Sequence, residues 1–370
     1  MPAAERVIHV LSSLGHGGAE TFTVQLAIWQ SHNGLKPSIA YVNSAATLGI
    51  DSAFEDSLAS TLIQAGIPVY CLDSGSSKGY WRKRLKNLRE AITNENPDLL
   101  HIHLGRGLML MFLGRIRIPA IMTIHNVRVG FPPRLFKLFQ KLPVEYVAVS
   151  TAVGKIFTPF ISQKIHVVFN GLDFSKFTPR TSDQQSDVIK VLSVGTARAQ
   201  KNYALLIETA KIMKSLDPGN IHWVMQVAGG GPLYDQLLQQ SLQENVSDVL
   251  KFLAPRTDVP ELLTQSDIFA MSSDYEGMPI AMLEAMYCGL AVATTDFAGV
   301  SDLVTNGETA LISPVGDAHA LATHLLKLIN SPDTRAGISS AGQQHTQAFS
   351  IDVVGNNYLT EYRKVAQKYG

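Results

Sequence analysis

Cysteine is nearly absent from this chain of 370 residues. Its two cysteines, Cys71 and Cys288, lie far apart and show neither the spacing of a metal site nor that of a redox motif. The sequence therefore argues against a disulfide-stabilised secreted fold and against a cysteine-ligated metal centre. A reduced, cytoplasmic protein is the expectation that remains.

Long apolar runs and net charge are missing as well. No run approaches the ~20 apolar residues that a membrane-spanning helix requires. Residues 1–13 lack the basic start and the apolar stretch of a signal peptide. The formal net charge is zero, with 31 basic and 31 acidic residues, so the composition predicts no nucleic-acid partner.

The zero net charge conceals an asymmetry between the two halves of the chain. Residues 1–175 hold 17 basic and 11 acidic residues, 17 − 11 = +6, and residues 176–370 hold 14 and 20, 14 − 20 = −6. Basic residues concentrate in 78–89 and in 128–141, where Phe and Leu intervene. Such stretches fit an anionic membrane surface, which predicts peripheral association with the inner face of the cell membrane. The solvated face of an ordinary helix is the alternative.

Short strands rich in Val and Ile alternate with helical segments in both halves. This pattern predicts an α/β fold with two doubly wound, Rossmann-like domains. Asn, Gly, Pro and Ser gather at 170–187 and mark the boundary. We expect an N-terminal domain over 1–175 and a C-terminal domain over 176–351, with an amphipathic helix at about 352–370 packing back on the first. Ligands of such sheets bind beyond the carboxyl ends of the strands, so the loops that follow strands hold the candidate residues.

The loop after the first strand is rich in glycine and reads SSLGHGGAE. Gly15, Gly17 and Gly18 would let the backbone approach a ligand, and a helix that begins at Ala19 would favour an anion. A dinucleotide fingerprint would need glycine at Glu20, which disfavours an NAD-dependent dehydrogenase. A plain tight turn is the alternative.

Histidines lie at the ends of two later strands of the first half. His101 and His103 share one strand face, as two metal ligands would, and His125 directly follows the next strand. No carboxylate or cysteine motif completes a site, so no metal is predicted. A strand-end histidine can hydrogen-bond a polar ligand, whereas for His101 we favour a buried, satisfied position.

Two cations follow the first strand of the second domain, in SVGTARAQKN. Arg198 and Lys201 at a strand end fit a phosphate or diphosphate. Exposed surface charges are the alternative. A glycine-rich turn at 228–232 is by itself nonspecific.

The segment DYEGMPIAMLEAMYCG carries two glutamates eight positions apart. Glu276 stands in a loop, and Pro279 is predicted at the first position of the following helix. The N–H groups around Met278 and Ile280 would then donate to an anion or a hydroxyl. Glu284 lies on a largely apolar helix and needs a partner, which ribose hydroxyls would supply. Pairing with an Arg or with backbone is the alternative.

Together with GGAE, TIHN, VVFNGLD, VLSVGTARAQKN and VAGGGPL, this E-x7-E segment resembles the retaining, nucleotide-sugar-dependent glycosyltransferases of family 4. The resemblance covers essentially the full length. It implies the GT-B fold, two Rossmann-like domains facing each other across a donor-binding cleft. It also implies transfer of a sugar from a nucleotide-diphosphate donor, a UDP-sugar rather than a GDP-sugar, to a glycan or lipid-linked acceptor in cell-surface polysaccharide or lipopolysaccharide-type synthesis.

Roles for individual residues follow from the resemblance. Glu276 would contact the transferred sugar as a catalytic residue, and Glu284 would hold the ribose hydroxyls. His125 would lie beside the sugar as a second catalytic residue, while Gly17 and Gly18 would approach the diphosphate. The remaining donor-binding residues would be Arg198, Lys201, Arg256, Gly277, Met278, Pro279 and Ile280, with Arg256 bordering the nucleobase.

The sequence departs from the family pattern at two positions. Thr196 stands where the family commonly has Arg, and Gly230 stands where an acidic residue is often found. Lys201 keeps the family's spacing of six residues from Gly195. Arg198 would supply the guanidinium that is missing at Thr196 and would reach the same phosphate from a different turn.

The chain has no Asp-x-Asp segment to hold a divalent ion. This is consistent with a cation-independent reaction without a cofactor, in which fixed cations stabilise the charge on the departing diphosphate. By resemblance, front-face displacement is the expected route. A nucleotide-sugar epimerase of the same architecture and a non-catalytic nucleotide-sugar-binding protein are the alternatives.

Overall fold

The computed structural model describes two compact units of this chain, one formed by 1–172 with 349–370 and the other by 173–348. The described residues are 5–15, 17–49, 52–73, 80–128, 132–180, 188–216, 222–256 and 258–370. The boundaries predicted from the sequence, 175/176 and 351/352, each lie three residues after those of the structure.

The N-terminal unit contains a parallel sheet, seven-stranded over its described residues, in the order β3-β2-β1-β4-β5-β6-β7. Its strands are β1 Arg6–Leu11, β2 Lys36–Tyr41, β3 Val69–Cys71, β4 Leu99–Ile102, β5 Ala120–Ile124, β6 Val144–Ala148 and β7 Ile165–Val167. The helices between them are α1 Gly18–His32, α2 Ala45–Leu48, α3 Ala53–Gln64, α4 Tyr80–Glu95, α5 Gly105–Gly114, α6 Phe136–Phe139 and α7 Thr151–Phe157. The strand order reverses between β1 and β4, which is where such sheets bind ligands.

The C-terminal unit contains a second parallel sheet, six-stranded where the structure describes it, in the order β10-β9-β8-β11-β12-β13. Its strands are β8 Ile189–Val194, β9 Trp223–Ala228, β10 Leu250–Leu253, β11 Ile268–Met271, β12 Ala291–Thr295 and β13 Leu311–Ser313. Its helices are α8 Tyr203–Leu216, α9 Tyr234–Gln243, α10 Val259–Thr264, α11 Ile280–Tyr287, α12 Ala318–Asn330 and α13 Pro332–His345. Here the order reverses between β8 and β11.

Helix α14, Ile351–Tyr369, packs on the N-terminal unit although it follows the C-terminal unit in the chain. Its apolar face joins a buried cluster that includes Phe22 and Trp29 of α1. The Trp29 indole Nε1–H donates to Asp352 Oδ1 at 2.6 Å. Gly355 lets the two helices approach closely, since a Cβ on it would lie 2.4 Å from the Trp29 ring.

These units confirm the two doubly wound α/β domains predicted from strand–helix alternation. Short one-turn 3₁₀ segments complete the described elements, at Pro133–Leu135, Phe174–Lys176, Ala199–Lys201, Val300–Asp302 and Thr346–Phe349. Within the described ranges, no helix combines the length and the apolar character needed to cross a bilayer.

Candidate active site

Three loops that follow strands meet in the C-terminal unit, after β8, β9 and β11. The Ala197 amide donates to the Gly230 carbonyl at 2.8 Å, and the Asp274 amide donates to the Gln200 carbonyl at 2.9 Å. Gly229 has a φ of 142°, and a Cβ there would lie 2.2 Å from the Gly195 carbonyl oxygen. Only glycine fits this approach. The loops that hold the candidate residues are thus packed against one another.

Glu276 lies among three hydrogen-bond donors and is only 6% exposed. Its Oε1 accepts from Lys201 Nζ at 2.7 Å and from Ser273 Oγ at 2.7 Å, and its Oε2 accepts from Gln200 Nε2 at 2.9 Å. A buried carboxylate needs such partners, because burial without them is costly. The structure therefore brings the predicted Glu276 and Lys201 into one ion pair.

The position of Lys201 is fixed by its backbone. Ser272 Oγ donates to the Lys201 carbonyl at 2.8 Å. The next residue, Asn202, has a φ of 46°, which Asn tolerates better than most residues, and its Nδ2 donates to Asp274 Oδ1 at 2.8 Å. The β8 and β11 loops together hold the ammonium group at the strand ends.

The two predicted arginines lie apart from this pair. Arg198 is exposed and directly precedes the 3₁₀ turn that carries Lys201. Arg256 is also exposed and forms a two-point ion pair with Asp258, with Nε donating to Oδ1 at 2.6 Å. Over the described residues, the Glu276 carboxylate contacts neither arginine.

Helix α11 begins one residue later than predicted. Pro279 was expected at the first helical position, but it is the N-cap, with an extended backbone, and the helix starts at Ile280. The capping position suits proline equally, because it too requires no intrahelical N–H donor. Residues 277–280 are buried, and the first-turn N–H groups of α11 form the positive end of the helix.

Glu284 lies in the second turn of α11, in a largely apolar setting. Burial raises the pKa of its carboxyl to about 7. Burial of the nearby Cys288 thiol, and to a lesser degree the charge of Glu284, raises the pKa of that thiol. Among the described residues the Glu284 carboxyl has no hydrogen-bonding or ion-pair partner, so the predicted alternative of a paired Arg is not found there. The carboxyl remains available to a polar ligand.

The predicted glycines of the N-terminal unit lie at the start of α1, with Gly17 as N-cap and Gly18 as first residue. The Glu20 carboxylate folds back over this end, where a Cβ on Gly17 would be 2.1 Å from Glu20 Oε2. The same carboxylate accepts from Ser12 Oγ at 3.3 Å. An anion that approaches these glycines would meet Glu20 first, a contact that the sequence did not predict.

His125 directly follows β5, and its Nε2 lies 2.9 Å from His103 Nδ1. Burial lowers the pKa of His125 to about 4, so the ring is neutral at pH 7. Its Nδ1 is shut off from solvent and has no hydrogen-bond partner in the described part of the chain, and the same holds for Asn126 Oδ1. Sequence reasoning passed over Asn126, although it stands in the TIHN motif.

His101 and His103 have a neighbour that the sequence analysis missed. His9 of β1 pairs directly with His101 of β4 in the sheet, and ring nitrogens of the three histidines lie within 4.8 Å of one another. The adjacency of β1 and β4 would have predicted this cluster. Both nitrogens of each ring hydrogen-bond protein groups. His101 is thus the buried, satisfied histidine that the sequence favoured.

The two basic stretches are less uniform on the surface than the sequence suggested. Arg84 is completely buried, stacks on the Tyr80 ring at 3.9 Å and donates to Asn43 Oδ1 at 2.8 Å. Phe136 and Phe139 are core residues. Residues 78, 79 and 129–131 of the predicted stretches lie outside the described residues. Phe136 and Phe139 therefore belong to the core, whereas Leu138 of the same stretch is exposed.

Comparisons with known proteins match both units. A family model described as Glycosyl transferases group 1 matches residues 175–345, and one described as Glycosyltransferase Family 4 matches residues 16–176. The amylovoran biosynthesis glycosyltransferase AmsK of Erwinia amylovora is 30% identical over 45% of this chain and 42% of that protein. The UDP-Gal:alpha-D-GlcNAc-diphosphoundecaprenol alpha-1,3-galactosyltransferase of Escherichia coli is 30% identical over 71% of this chain and 73% of that protein.

A solved structure is similar over nearly the whole chain. HepE of Anabaena, in complex with UDP and glucose, has a TM-score of 0.79 and 19% identity, and the match covers 96% of this chain and 99% of HepE. This match over nearly the whole chain confirms the GT-B fold predicted from the sequence.

Proposed function

Because this chain belongs to the glycosyltransferases of family 4, with a group 1 C-terminal unit, we propose that it transfers a sugar with retention of configuration from a UDP-sugar to a glycan or lipid-linked acceptor. The observation that carries the proposal is the partly buried Lys201–Glu276 pair beside the N-terminus of α11. A cation, a carboxylate and free helix N–H groups at one strand edge suit a sugar diphosphate.

The chemistry follows from the charge that the reaction creates. Breaking the anomeric bond leaves a nucleoside diphosphate with additional negative charge. Lys201 and the first-turn N–H groups of α11 are fixed before the reaction and stabilise that charge without reorganising. Glu276, held by Ser273 and Gln200, orients the sugar. The diphosphate oxygen deprotonates the acceptor, so this front-face route needs no covalent enzyme intermediate.

Residues outside this pair complete the donor site in the proposal. Glu284 holds the ribose hydroxyls, and residues 277–280 bind sugar and phosphate through their main chain. Arg198 reaches the diphosphate, and Arg256 borders the nucleobase once it leaves Asp258. By the family resemblance, Gly17 and Gly18 would serve the diphosphate, once Glu20 moves aside, and His125 would serve the sugar. No divalent cation takes part, because Lys201, Arg198 and α11 supply the positive charge.

The choice of donor and acceptor rests on the named relatives. HepE is described with UDP and glucose, and the Escherichia coli relative is named for UDP-Gal and for an acceptor on diphosphoundecaprenol. AmsK is named for amylovoran biosynthesis. These names support a UDP-sugar donor and an acceptor of polysaccharide or lipopolysaccharide-type synthesis.

The proposal is tested by calorimetric titration of UDP, GDP and their glucose conjugates, with and without EDTA. We expect binding of the UDP compounds that EDTA leaves unchanged. Lys201→Met should weaken UDP binding at least tenfold, since it removes a charge-assisted contact of about 1.5–3 kcal/mol. Glu276→Gln should lower transfer by more than tenfold while UDP still binds.

Lys211→Met is the matched control, because Lys211 lies on the same unit in an exposed ion pair with Glu244. Its UDP affinity should equal that of the unaltered chain. Equal UDP affinity in Lys201→Met and Lys211→Met would contradict the donor site, and a requirement for a divalent ion would contradict the cation-independent reaction.

A further inference from the structure

A continuous chain of hydrogen bonds runs through the buried centre of the N-terminal unit, from His125 to helix α14. We call it the His125–Tyr358 wire. Its links join, in order, the following pairs: His125 Nε2 to His103 Nδ1 at 2.9 Å, His103 Nε2 to His9 Nδ1 at 3.0 Å, His9 Nε2 to Gln30 Oε1 at 2.8 Å, Gln30 Nε2 to Tyr362 Oη at 2.9 Å, Tyr362 Oη to His101 Nδ1 at 2.7 Å, His101 Nε2 to Thr123 Oγ1 at 2.8 Å, and Thr123 Oγ1 to Tyr358 Oη at 3.1 Å.

The amide of Gln30 gives the wire a direction. A glutamine amide has an acceptor end and a donor end, and here Oε1 faces His9 while Nε2 faces Tyr362. His9 must therefore carry its proton on Nε2. Its Nδ1 is then an acceptor, and His103 must donate to it from Nε2. Each neutral ring has one proton, so each assignment fixes the next.

His125 is the last ring in this series of hydrogen-bonded histidines. With its proton on Nε2, His103 offers Nδ1 as an acceptor, and two groups lie near it, Thr23 Oγ1 at 3.2 Å and His125 Nε2 at 2.9 Å. The Thr23 hydroxyl already donates to the Ala19 carbonyl at 2.8 Å. The donor to His103 is therefore the Nε2–H of His125. His125 Nδ1 is left as a bare acceptor.

Two bare acceptors thus stand on consecutive residues at the end of β5. His125 Nδ1 and Asn126 Oδ1 are both shut off from solvent without a partner among the described residues. A buried acceptor without a hydrogen bond costs free energy, so such a pair points to a group that supplies donors. Hydroxyl groups are neutral donors of this kind, and every sugar carries several of them.

We propose that the His125–Tyr358 wire holds His125 as the Nε2–H tautomer, so that His125 Nδ1 and Asn126 Oδ1 accept hydrogen bonds from hydroxyl groups of the bound sugar. The identity of the hydroxyl donor rests on the proposed function, whereas the tautomer does not. In this arrangement His125 is an acceptor and cannot donate a proton from Nδ1. His103, His9 and Gln30 are positioning residues, because they act on the sugar only through His125.

The wire also accounts for the three-histidine cluster without a metal ion. Both nitrogens of His9, His101 and His103 are used within the protein, and a metal would have to break at least two of these hydrogen bonds. Burial lowers the pKa of all three rings, so each stays neutral and keeps one donor and one acceptor.

The tautomer is measured by long-range ¹H–¹⁵N correlation NMR on the full chain labelled with ¹⁵N-histidine, without ligand at pH 7. The His125→Gln variant identifies the His125 signals. We expect an unprotonated Nδ1 and a protonated Nε2. A protonated Nδ1, or an averaged signal from both tautomers, would overturn the proposal. Signals of His9, His101 and His103 that shift on adding equimolar Zn²⁺, and return with EDTA, would overturn it in favour of a metal site.

A matched pair of variants tests the coupling. His103→Leu removes the acceptor for His125, so the His125 signals should become an average of the two tautomers. His103→Gln keeps an acceptor and a donor in one amide and should restore the Nε2–H state. An unchanged His125 tautomer in a folded His103→Leu would show that the wire does not set it. If His103→Leu does not fold, Gln30→Met breaks the wire one ring further away and is judged by the same criterion.

The ligand step is read from the same spectra. UDP-glucose should shift His125 Nδ1 towards the value of a hydrogen-bonded acceptor, whereas UDP alone should leave it in place. Equal spectra with UDP and UDP-glucose, both bound, would contradict the sugar contact. If neither compound binds, the donor assignment of the proposed function fails while the tautomer result stands by itself.

Discussion

Lys201 and Glu276 lie 75 positions apart in sequence and form one ion pair in the fold. The sequence identified both residues but not the pair, because their contact depends on the adjacency of β8 and β11 and on the Asn202 turn that directs the lysine. Before donor binding, Glu276 neutralises the charge that the diphosphate would use. Binding a diphosphate therefore redistributes an existing ion pair, and the pair keeps both side chains ordered while the site is empty of donor.

Other residues were missed because their signal is purely spatial. His9 and Gln30 belong to patterns typical of an ordinary strand and an ordinary helix, and Tyr362 lies on the far end of the sequence. Only the β1–β4 pairing and the return of α14 bring them together. Conversely, Glu284 was predicted correctly as an unusual carboxylate, since its position on an apolar helix can be read from periodicity alone.

The raised pKa of Glu284 predicts a pH-dependent stability. Its ordinary pKa of 4.5 applies to the unfolded chain, and burial raises the folded value to about 7. The folded state therefore holds the proton more tightly. The stabilisation is complete below pH 4.5 and is lost as the pH rises through 7, by up to about 3 kcal/mol. Glu284→Gln, which cannot ionise, should exceed the unaltered chain in free energy of unfolding by much more at pH 8 than at pH 5.

Urea unfolding at both pH values checks this expectation. The exposed Glu244→Gln serves as control and should show no change in its difference from the unaltered chain. A Glu284→Gln difference that is equal at pH 5 and pH 8 would mean that the carboxyl is better solvated than its surroundings indicate.

At the scale of elements, the strands of the second sheet and the inner strands of the first were predictable from the sequence, and the two edge strands of the first sheet were not. The strands β1, β5, β8 and β9 are rich in Val, Ile, Leu and Met and stand out from their surroundings. β3 and β7 have three residues each and lie at the two edges of the first sheet, where partial exposure weakens the apolar pattern. Their positions are set by pairing with β2 and β6 rather than by local sequence.

The contact between α1 and α14 predicts opposite effects for the same substitution at two helical glycines. A Cβ on Gly355 would overlap the Trp29 ring, whereas a Cβ on Gly337 in α13 would meet nothing within 4 Å. Gly355→Ala should lower the free energy of unfolding by about 1–3 kcal/mol through overpacking. Gly337→Ala should raise it by roughly 0.5–1 kcal/mol, because alanine favours a helix.

Chemical denaturation of both variants measures the two changes. If Gly355→Ala were as stable as Gly337→Ala, the helices would have to separate at no cost, which contradicts a close-packed α1–α14 contact.

At the scale of the whole molecule, the basic surface of the N-terminal unit is smaller than its sequence suggested but has an exposed apolar neighbour. Arg82, Lys83, Lys86 and Arg89 remain exposed on α4. Helix α5 packs beside α4 and exposes Phe112 and Leu113, which are 41% and 51% accessible. Charge with adjacent apolar side chains is the arrangement that binds an anionic interface.

The combination predicts salt-sensitive binding to vesicles. Arg82→Glu with Lys86→Glu should reduce sedimentation with phosphatidylglycerol vesicles severalfold, since each basic residue contributes about 1 kcal/mol near such a surface. The same charge change in the C-terminal unit, Lys211→Glu with Lys251→Glu, is the control and should leave binding unaltered. Equal binding to neutral phosphatidylcholine vesicles, or an equal loss in the control, would remove the membrane from the proposal.

The return of α14 has a consequence for how the chain is made. Helix α14 leaves the ribosome only after Asp173–Ala348 has been synthesised, which takes on the order of ten to forty seconds at about 5–20 residues per second. During that interval Phe22 and Trp29 lack the helix that covers them, and Gln30 and His101 lack Tyr362. The first half of the nascent polypeptide must therefore wait, with part of its core open to water and to chaperones, until the second half has been translated.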